Sequence, residues 1–278
     1  MVANLRKYLL LFLVGSVVSL NGCNNDLFGL FGSNDLNVRW RAHNTFKFLT
    51  PEERNIPGAG WGDEYSFIVL SDTHIEDGNT FGLDKLKNVI DSNSDVKFVA
   101  INGDITQNGK RKDIKAFMET ARSWGVPCYP VAGNHDIYFG NWPEWEALIG
   151  STCYRVNGGS ATLLIMDSAN AYFGAKQLDW LENELKKAKG RVFVFTHANL
   201  FVDSPVTLQQ FTDVRERARV TSLLKGRCDA MFTGHVHERI VREAGGVQYI
   251  TTEDFRSQDV YCHVRVTQKG IRWEFKKL

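Results

Sequence analysis

Apolar positions along this chain fall into short runs that alternate with amphipathic stretches. The runs "SFIVLS" (66–71), "KFVAIN" (97–102), "PCYPVA" (127–132), "ATLLIMD" (161–167), "RVFVFT" (191–196) and "DAMFTG" (229–234) read as buried strands. Between them, "KRKDIKAFMETARSW" (110–124) aligns Ile114, Phe117, Met118 and Ala121 on one helical face. "AKQLDWLENELKKAK" (175–189) does the same with Leu178, Leu181, Leu185 and Ala188. After Gly234 the runs "GGVQYITTE", "DVYCHVRVT" and "GIRWEFKKL" turn β-like. Strands alternating with helices predict an α/β fold whose sheet faces are covered by helices. Residues 24 to about 60 are rich in Asn, Gly and Asp and carry no sustained period. The pattern therefore divides the chain into residues 1–22, a tether and lead-in over 23–63, and a folded body over 64–278.

The N-terminus adds a destination. Arg6 and Lys7 precede an apolar run from Tyr8 to Leu20, and Gly22-Cys23 follows. A charged start, a short apolar core and small residues before a cut site read as a secretory signal, and the run is short for a membrane span. The ending "LNGC" resembles the lipobox of bacterial lipoproteins, which implies lipidation at Cys23. The expectation is a lipid-anchored, extracytoplasmic protein of the bacterial cell envelope.

The full chain has 278 residues and a formal net charge of +1. Residues 1–22 hold two basic and no acidic side chains, so the rest carries 31 basic against 32 acidic residues. That balance lacks the basic footprint that long nucleic acid requires. Cys128, Cys153, Cys228 and Cys262 could form two disulfides in three ways in an oxidising compartment, but Cys128, Cys228 and Cys262 lie in or beside strand-like stretches, and buried free thiols are the expectation.

Candidate chemistry lies where the apolar runs end. "FIVL" is followed by Asp72 and His74, "FVAI" by Asp104, and "YPVA" by Asn134, His135 and Asp136. "VFVF" is followed by His197, and "AMF" by His235 and His237. In open α/β sheets the carboxyl ends of strands line the ligand site. Carboxylates and imidazoles suit divalent first-row metals. The absence of cysteine at these ends argues against a structural zinc site. So many donors exceed one ion's needs and suit two ions about 3.5–4 Å apart. Singly, each fragment is weak; the force lies in the ordered set.

The order D-x-H, G-D, G-N-H-D, H and G-H-x-H resembles the calcineurin-like metallophosphoesterase family. "GDITQNG" and "AKQLDWLENEL" are most similar to its class III, cyclic-nucleotide phosphodiesterase-like branch. The resemblance implies an α/β sandwich of two central mixed β-sheets flanked by helices. It implies that Asp72, His74 and His237 hold one divalent ion (Mn, Fe or Zn), and that Asn134, His197 and His235 hold another. Asp104 would bridge them. His135 would sit beside the substrate, oriented by Asp136. The implied activity is hydrolysis of a small phosphomono- or phosphodiester by a hydroxide held between the ions. The alternative is a lipid-anchored binding protein with a structural or vestigial dimetal site. "THANL" (196–200) departs from the family, whose members often carry Pro after this histidine.

Other residues receive structural readings. His43 is expected to be solvated and His263 structural. Trp40, Trp61, Trp142 and Trp145 read as packing residues, with Trp142 or Trp145 a candidate for the cleft wall. Asp167 is weighed between a supporting role at the site and a plain turn.

Overall fold

The structure is a computed structural model that describes residues 37–49, 54–58, 60–137, 140–201 and 213–278. Cys23 and residues 1–22 lie outside the described residues. Among the described residues, no helix is long and apolar enough to cross a membrane.

The described residues open with α1 (Val38–Phe48) and β1 (Asn55–Pro57), then β2 (Tyr65–Leu70), α2 (Leu86–Asp91) and β3 (Val96–Ile101). Next come α3 (Arg111–Ser123), β4 (Cys128–Pro130), α4 (Asn134–Ile137) and α5 (Trp142–Leu148). The middle holds β5 (Tyr154–Asn157), β6 (Ala161–Ile165), α6 (Ala175–Lys187), β7 (Arg191–Phe195) and α7 (Val214–Leu224). The chain closes with β8 (Ala230–Thr233), β9 (Ile240–Ala244), β10 (Val247–Thr251), α8 (Phe255–Gln258), β11 (Val260–Thr267) and β12 (Gly270–Lys277).

These strands make two mixed sheets. One runs β12-β11-β2-β3-β4, with β2, β3 and β4 parallel. The other runs β1-β5-β6-β7-β8-β10-β9, with β6, β7, β8 and β10 parallel. Side chains on a strand alternate between faces, and that alternation sorts the core. Phe67 and Val69 face inward with Phe98, Leu163, Phe193, Phe195 and Phe232, filling the space between the sheets. Phe67 meets Phe232 edge-on at 5.7 Å, while Phe195 stacks on Phe232 at 5.2 Å. Ile68 and Leu70 face the other way, onto Leu86 of α2, Phe117 of α3, and Trp142 and Trp145 of α5. Leu164, Val194 and Met231 form the outer face of the larger sheet, covered by Leu178, Leu181 and Leu185 of α6 and Leu224 of α7. The expected sandwich of two mixed sheets flanked by helices is the observed architecture.

Two elements appear where the pattern predicts none. In α1, Val38, Arg41, Ala42 and Thr45 are buried, so the buried stripe contains a cation and reads poorly as apolar. Asn37 caps the helix by accepting from the amide of Arg39 at 2.8 Å. The guanidinium of Arg41 forks onto Asp167, at 2.7 Å from Nε and 2.8 Å from Nη2, and both side chains are fully buried. The second element, β1, is only three residues long and pairs in parallel with β5. "PCYPVA" also differs from its reading as a buried strand. It supplies β4, a half-buried edge strand of three residues. Its prolines are tolerated there because an edge leaves ladder positions open.

The Arg41–Asp167 pair ties the lead-in to the body. Removing one partner of a buried ion pair leaves the other uncompensated, so Arg41→Ala should lower unfolding stability by about 3–5 kcal/mol in urea titration. A loss below about 1 kcal/mol would show that the charge is satisfied elsewhere.

Candidate metal centre

Five loops at the carboxyl ends of β2, β3, β4, β7 and β8 bring the polar residues together. The loops after β2 and β3 continue their strands' pairing. Asp72 N donates to the carbonyl of Gly103 at 3.0 Å, and His74 N to that of Asp104 at 2.9 Å. Asp72, His74, Asp104, His235 and His237 all have positive φ, between 43° and 74°. Non-glycine residues adopt this region only where the surroundings enforce it, at about 1–3 kcal/mol each. The neighbouring glycines give the room. A Cβ at Gly133 would lie 2.1 Å from Asp104 N, and one at Gly234 would lie 2.6 Å from Asp72 Oδ2.

The two buried carboxylates are held alike. Asp72 Oδ2 accepts from His235 N at 3.0 Å, and Asp104 Oδ1 accepts from His135 N at 2.8 Å. Their other oxygens turn into the cluster. Asp72 Oδ1 lies 3.3 Å from His237 Nε2 and 3.9 Å from His74 Nε2. It is buried and accepts no hydrogen bond. Asp104 Oδ2 lies 3.3 Å from His197 Nε2 and 4.0 Å from His74 Nε2.

The imidazoles are aimed from behind. His197 Nδ1 lies 2.7 Å from the carbonyl of Asn102, which turns Nε2 inward. That Nε2 is 2.9 Å from Asn134 Oδ1 and 3.1 Å from His235 Nδ1. His74 Nε2 and His237 Nε2 approach to 3.4 Å. Ring nitrogens and carboxylate oxygens facing one another at these distances form a convergent electron-rich set, and a buried carboxylate oxygen without a donor needs compensation. The residues therefore fit a divalent cation. Asp72, His74 and His237 form one candidate group, and Asp104, His197 and His235 form another. A third overlaps them through His74, Asp104 and His135.

Charges follow from this crowding. Burial disfavours a charged His197, but Asp104 and Asp72 outweigh it and push the imidazole up to about 9. Contact with Asp72, against burial, pushes His237 up to about 9. Burial and the neighbouring His197 hold His235 down to about 4. Burial works against the charge on Asp104, yet His197 and His135 hold it well below the usual carboxylate range. Burial and Asp104 push Asp136 up to about 6.

One expected contact is corrected. Asp136 does not orient His135 through its carboxylate. It accepts from Gly133 N at 2.9 Å, Ile105 N at 3.2 Å, Thr106 N at 2.8 Å and Thr106 Oγ1 at 2.9 Å. It ties the β3 and β4 loops together, while His135 Nδ1 lies 2.9 Å from the carbonyl of Gln107. Both residues are in α4, where successive side chains point about 100° apart.

The other singled-out residues lie apart from the cluster. Trp142 and Trp145 are buried in the core cluster between α5 and the smaller sheet. His263 is buried in β11, and exposed His43 contacts Lys176. Cys128, Cys153, Cys228 and Cys262 are free thiols. Asp167 is the partner of Arg41. Its neighbour Ser168 is a residue the sequence pattern did not mark. Ser168 Oγ accepts from Ala198 N at 2.8 Å and His197 N at 3.2 Å, so it places a candidate ligand from behind. In the unusual "THANL" loop, Asn199 turns inward to donate to Thr251 Oγ1.

The profile described as calcineurin-like phosphoesterase matches residues 65–239. The chain belongs to the calcineurin-like phosphoesterase family. A Fibrobacter succinogenes protein named "Probable cyclic nucleotide phosphodiesterase" is 24% identical over 230 residues, covering 73% of this chain and 86% of its own. An Arcobacter nitrofigilis protein named "Probable glycerophosphodiester phosphodiesterase GpdQ" is 29% identical over 203 residues, covering 61% and 71%. The solved structure of a dimetal phosphatase from Danio rerio superposes with a TM-score of 0.60 at 16% identity, over 76% of this chain and 98% of that one. This calcineurin-like chain is a metal-dependent phosphoesterase, and its Asp/His cluster is where a divalent metal fits.

Metal binding here must displace protons, because imidazoles ligate in the neutral form. The facing carboxylates push His197 and His237 up to about 9, so a metal must compete with protons there, and apparent metal affinity should rise with pH and level off above about 9. Calorimetry at pH 7 in buffers of different ionisation enthalpy should register about two protons released on saturation. Release of none would remove both histidines from the ligand set.

Proposed function

We propose that the chain hydrolyses small phosphodiesters with the help of two divalent cations, while held in the bacterial cell envelope by lipid on Cys23. The observation that carries this reading is the pairing of two carboxylates, each with one oxygen fixed by a backbone amide and the other turned toward facing imidazoles. Asp72, His74 and His237 would hold one ion, Asn134, His197 and His235 the other, with Asp104 between them. Bound there, Mn, Fe or Zn ions would neutralise phosphate oxygens and lower the pKa of a water toward about 7. The protein's own task is to position the ester, stabilise the charge that develops and supply a proton. Hydrolysis adds water's oxygen to phosphorus, breaks one P–O bond and leaves a proton on the departing oxygen. His135, beside Asp104 and His74, is the group to deliver that proton.

The names of both sequence relatives support a diester over a monoester. The balance of 31 basic and 32 acidic residues beyond position 22 supports a small substrate. The signal-like N-terminus supports the envelope location.

Exhaustive chelation should abolish hydrolysis of a chromogenic diester, and Mn²⁺ should restore it; full activity in metal-stripped protein would sink the reading. Failure to turn over diester and monoester alike, with metal bound, would favour a binding protein instead. His135→Ala should keep its metal and lose about 10²–10⁴-fold in turnover. Mass spectrometry of the full chain from bacterial membranes should find diacylglycerol-type mass on Cys23, and an unmodified Cys23 preceded by residues 1–22 would contradict the anchor.

A further inference from the structure

We infer that Arg256 is a positioning residue for His135, acting through Gln107. Arg256 lies in α8, directly after β10, and its backbone amide reaches the carbonyl of the candidate ligand Asp72 at 3.3 Å. Its guanidinium is fixed on three sides. Nη1 donates to Gln107 Oε1 at 3.0 Å, Nη2 donates to Glu76 Oε2 at 3.2 Å, and the plane sits 4.4 Å from the ring of Phe81. Phe81 itself has a φ of 49°, a strained value for an aromatic residue. Glu76 and Phe81 belong to the loop after β2, Gln107 to the loop after β3, and Arg256 to the turn after β10. One side chain therefore joins two of the loops that build the centre to the turn after β10.

Gln107 is the link to chemistry. Its amide donates to Ile75 O at 2.9 Å, its side chain is held by Arg256, and its carbonyl faces His135 Nδ1 at 2.9 Å. A carbonyl accepts only, so Nδ1 carries the hydrogen and Nε2 becomes the atom that exchanges a proton. The expected carboxylate partner, Asp136, is engaged elsewhere. The carbonyl of Gln107 does the orienting, and its direction depends on the side-chain anchor to Arg256. Glu76 offsets the charge of Arg256 and occupies one of its terminal nitrogens.

This inference rests on the proposed hydrolysis, with His135 Nε2–H passing its proton to the departing alkoxide. The test compares Arg256→Ala and Arg256→Lys on two diesters, one with an alkyl leaving group that needs a proton and one with an aryl group that needs little help. Arg256→Ala should lower kcat on the alkyl ester by about 10- to 100-fold, with a loss several-fold smaller on the aryl ester. KM should stay within about twofold and metal content should match the parent. Lysine keeps charge but not the planar fork, so it should restore little. In a His135→Ala background, Arg256→Ala should add no further loss. Equal losses on both esters, or full additivity in the double variant, overturn the inference. A readout independent of turnover is the Nδ1–H resonance of His135 in zinc-loaded protein, protected in the parent and lost in Arg256→Ala. Its survival in the variant also overturns the inference. An inactive parent in which that resonance responds to Arg256→Ala would count against the proposed reaction but not against the alignment.

Discussion

Everything at this centre depends on two buried negative charges that call for a positive charge beside them. Asp72 and Asp104 are each tied by one oxygen to a backbone amide and left with the other oxygen exposed to imidazole nitrogens. Such burial is tolerable only with a compensating positive charge. The facing imidazoles of His197 and His237, pushed up to about 9 by these carboxylates, offer part of it. A divalent cation would provide it better, because it engages several donors at once. The folded sandwich serves this constraint. Parallel strands from two sheets end on the same rim, and close-fitting glycines let those ends approach.

The convergence of these donors was legible in the sequence because the strand period and the position of polar residues agree. Five of the apolar runs were each followed by a donor within a few residues, and those donors converge. What was not legible depends on contacts between distant segments. The stripe of α1 contains Arg41, whose partner Asp167 lies 126 residues on, so no local pattern marks the helix as packed. The three-residue strands β1 and β4 are too short to show a period. Adjacency in sequence also misled. His135 and Asp136 are neighbours, but one turn of helix sends them to different partners. Ser168 and Arg256 carry no motif at all, and only folding brings them behind His197 and Gln107.

The supporting shell relies on backbone groups. The carbonyls of Asn102 and Gln107 aim His197 and His135, and the amides of His135 and His235 hold the carboxylates. Backbone groups can do this only if their loops are immobilised. Asp136 knots the β3 and β4 loops, Ser168 grips the β7 loop, and Arg256 ties the β2 and β3 loops to the turn after β10. These side chains need not touch the ester to matter to its cleavage.

The seat of α1 changes where the molecule begins in practice. Val38 N rests on Asn170 Oδ1 at 2.9 Å, and Arg41 grips Asp167. Ser168, between those two partners, carries the amide of His197. Trimming the chain back to Glu64, where composition changes, would strand the Asp167 carboxylate in an apolar interior two steps from the catalytic rim. Shortened versions for enzymology should therefore keep Asn37 and the whole of α1.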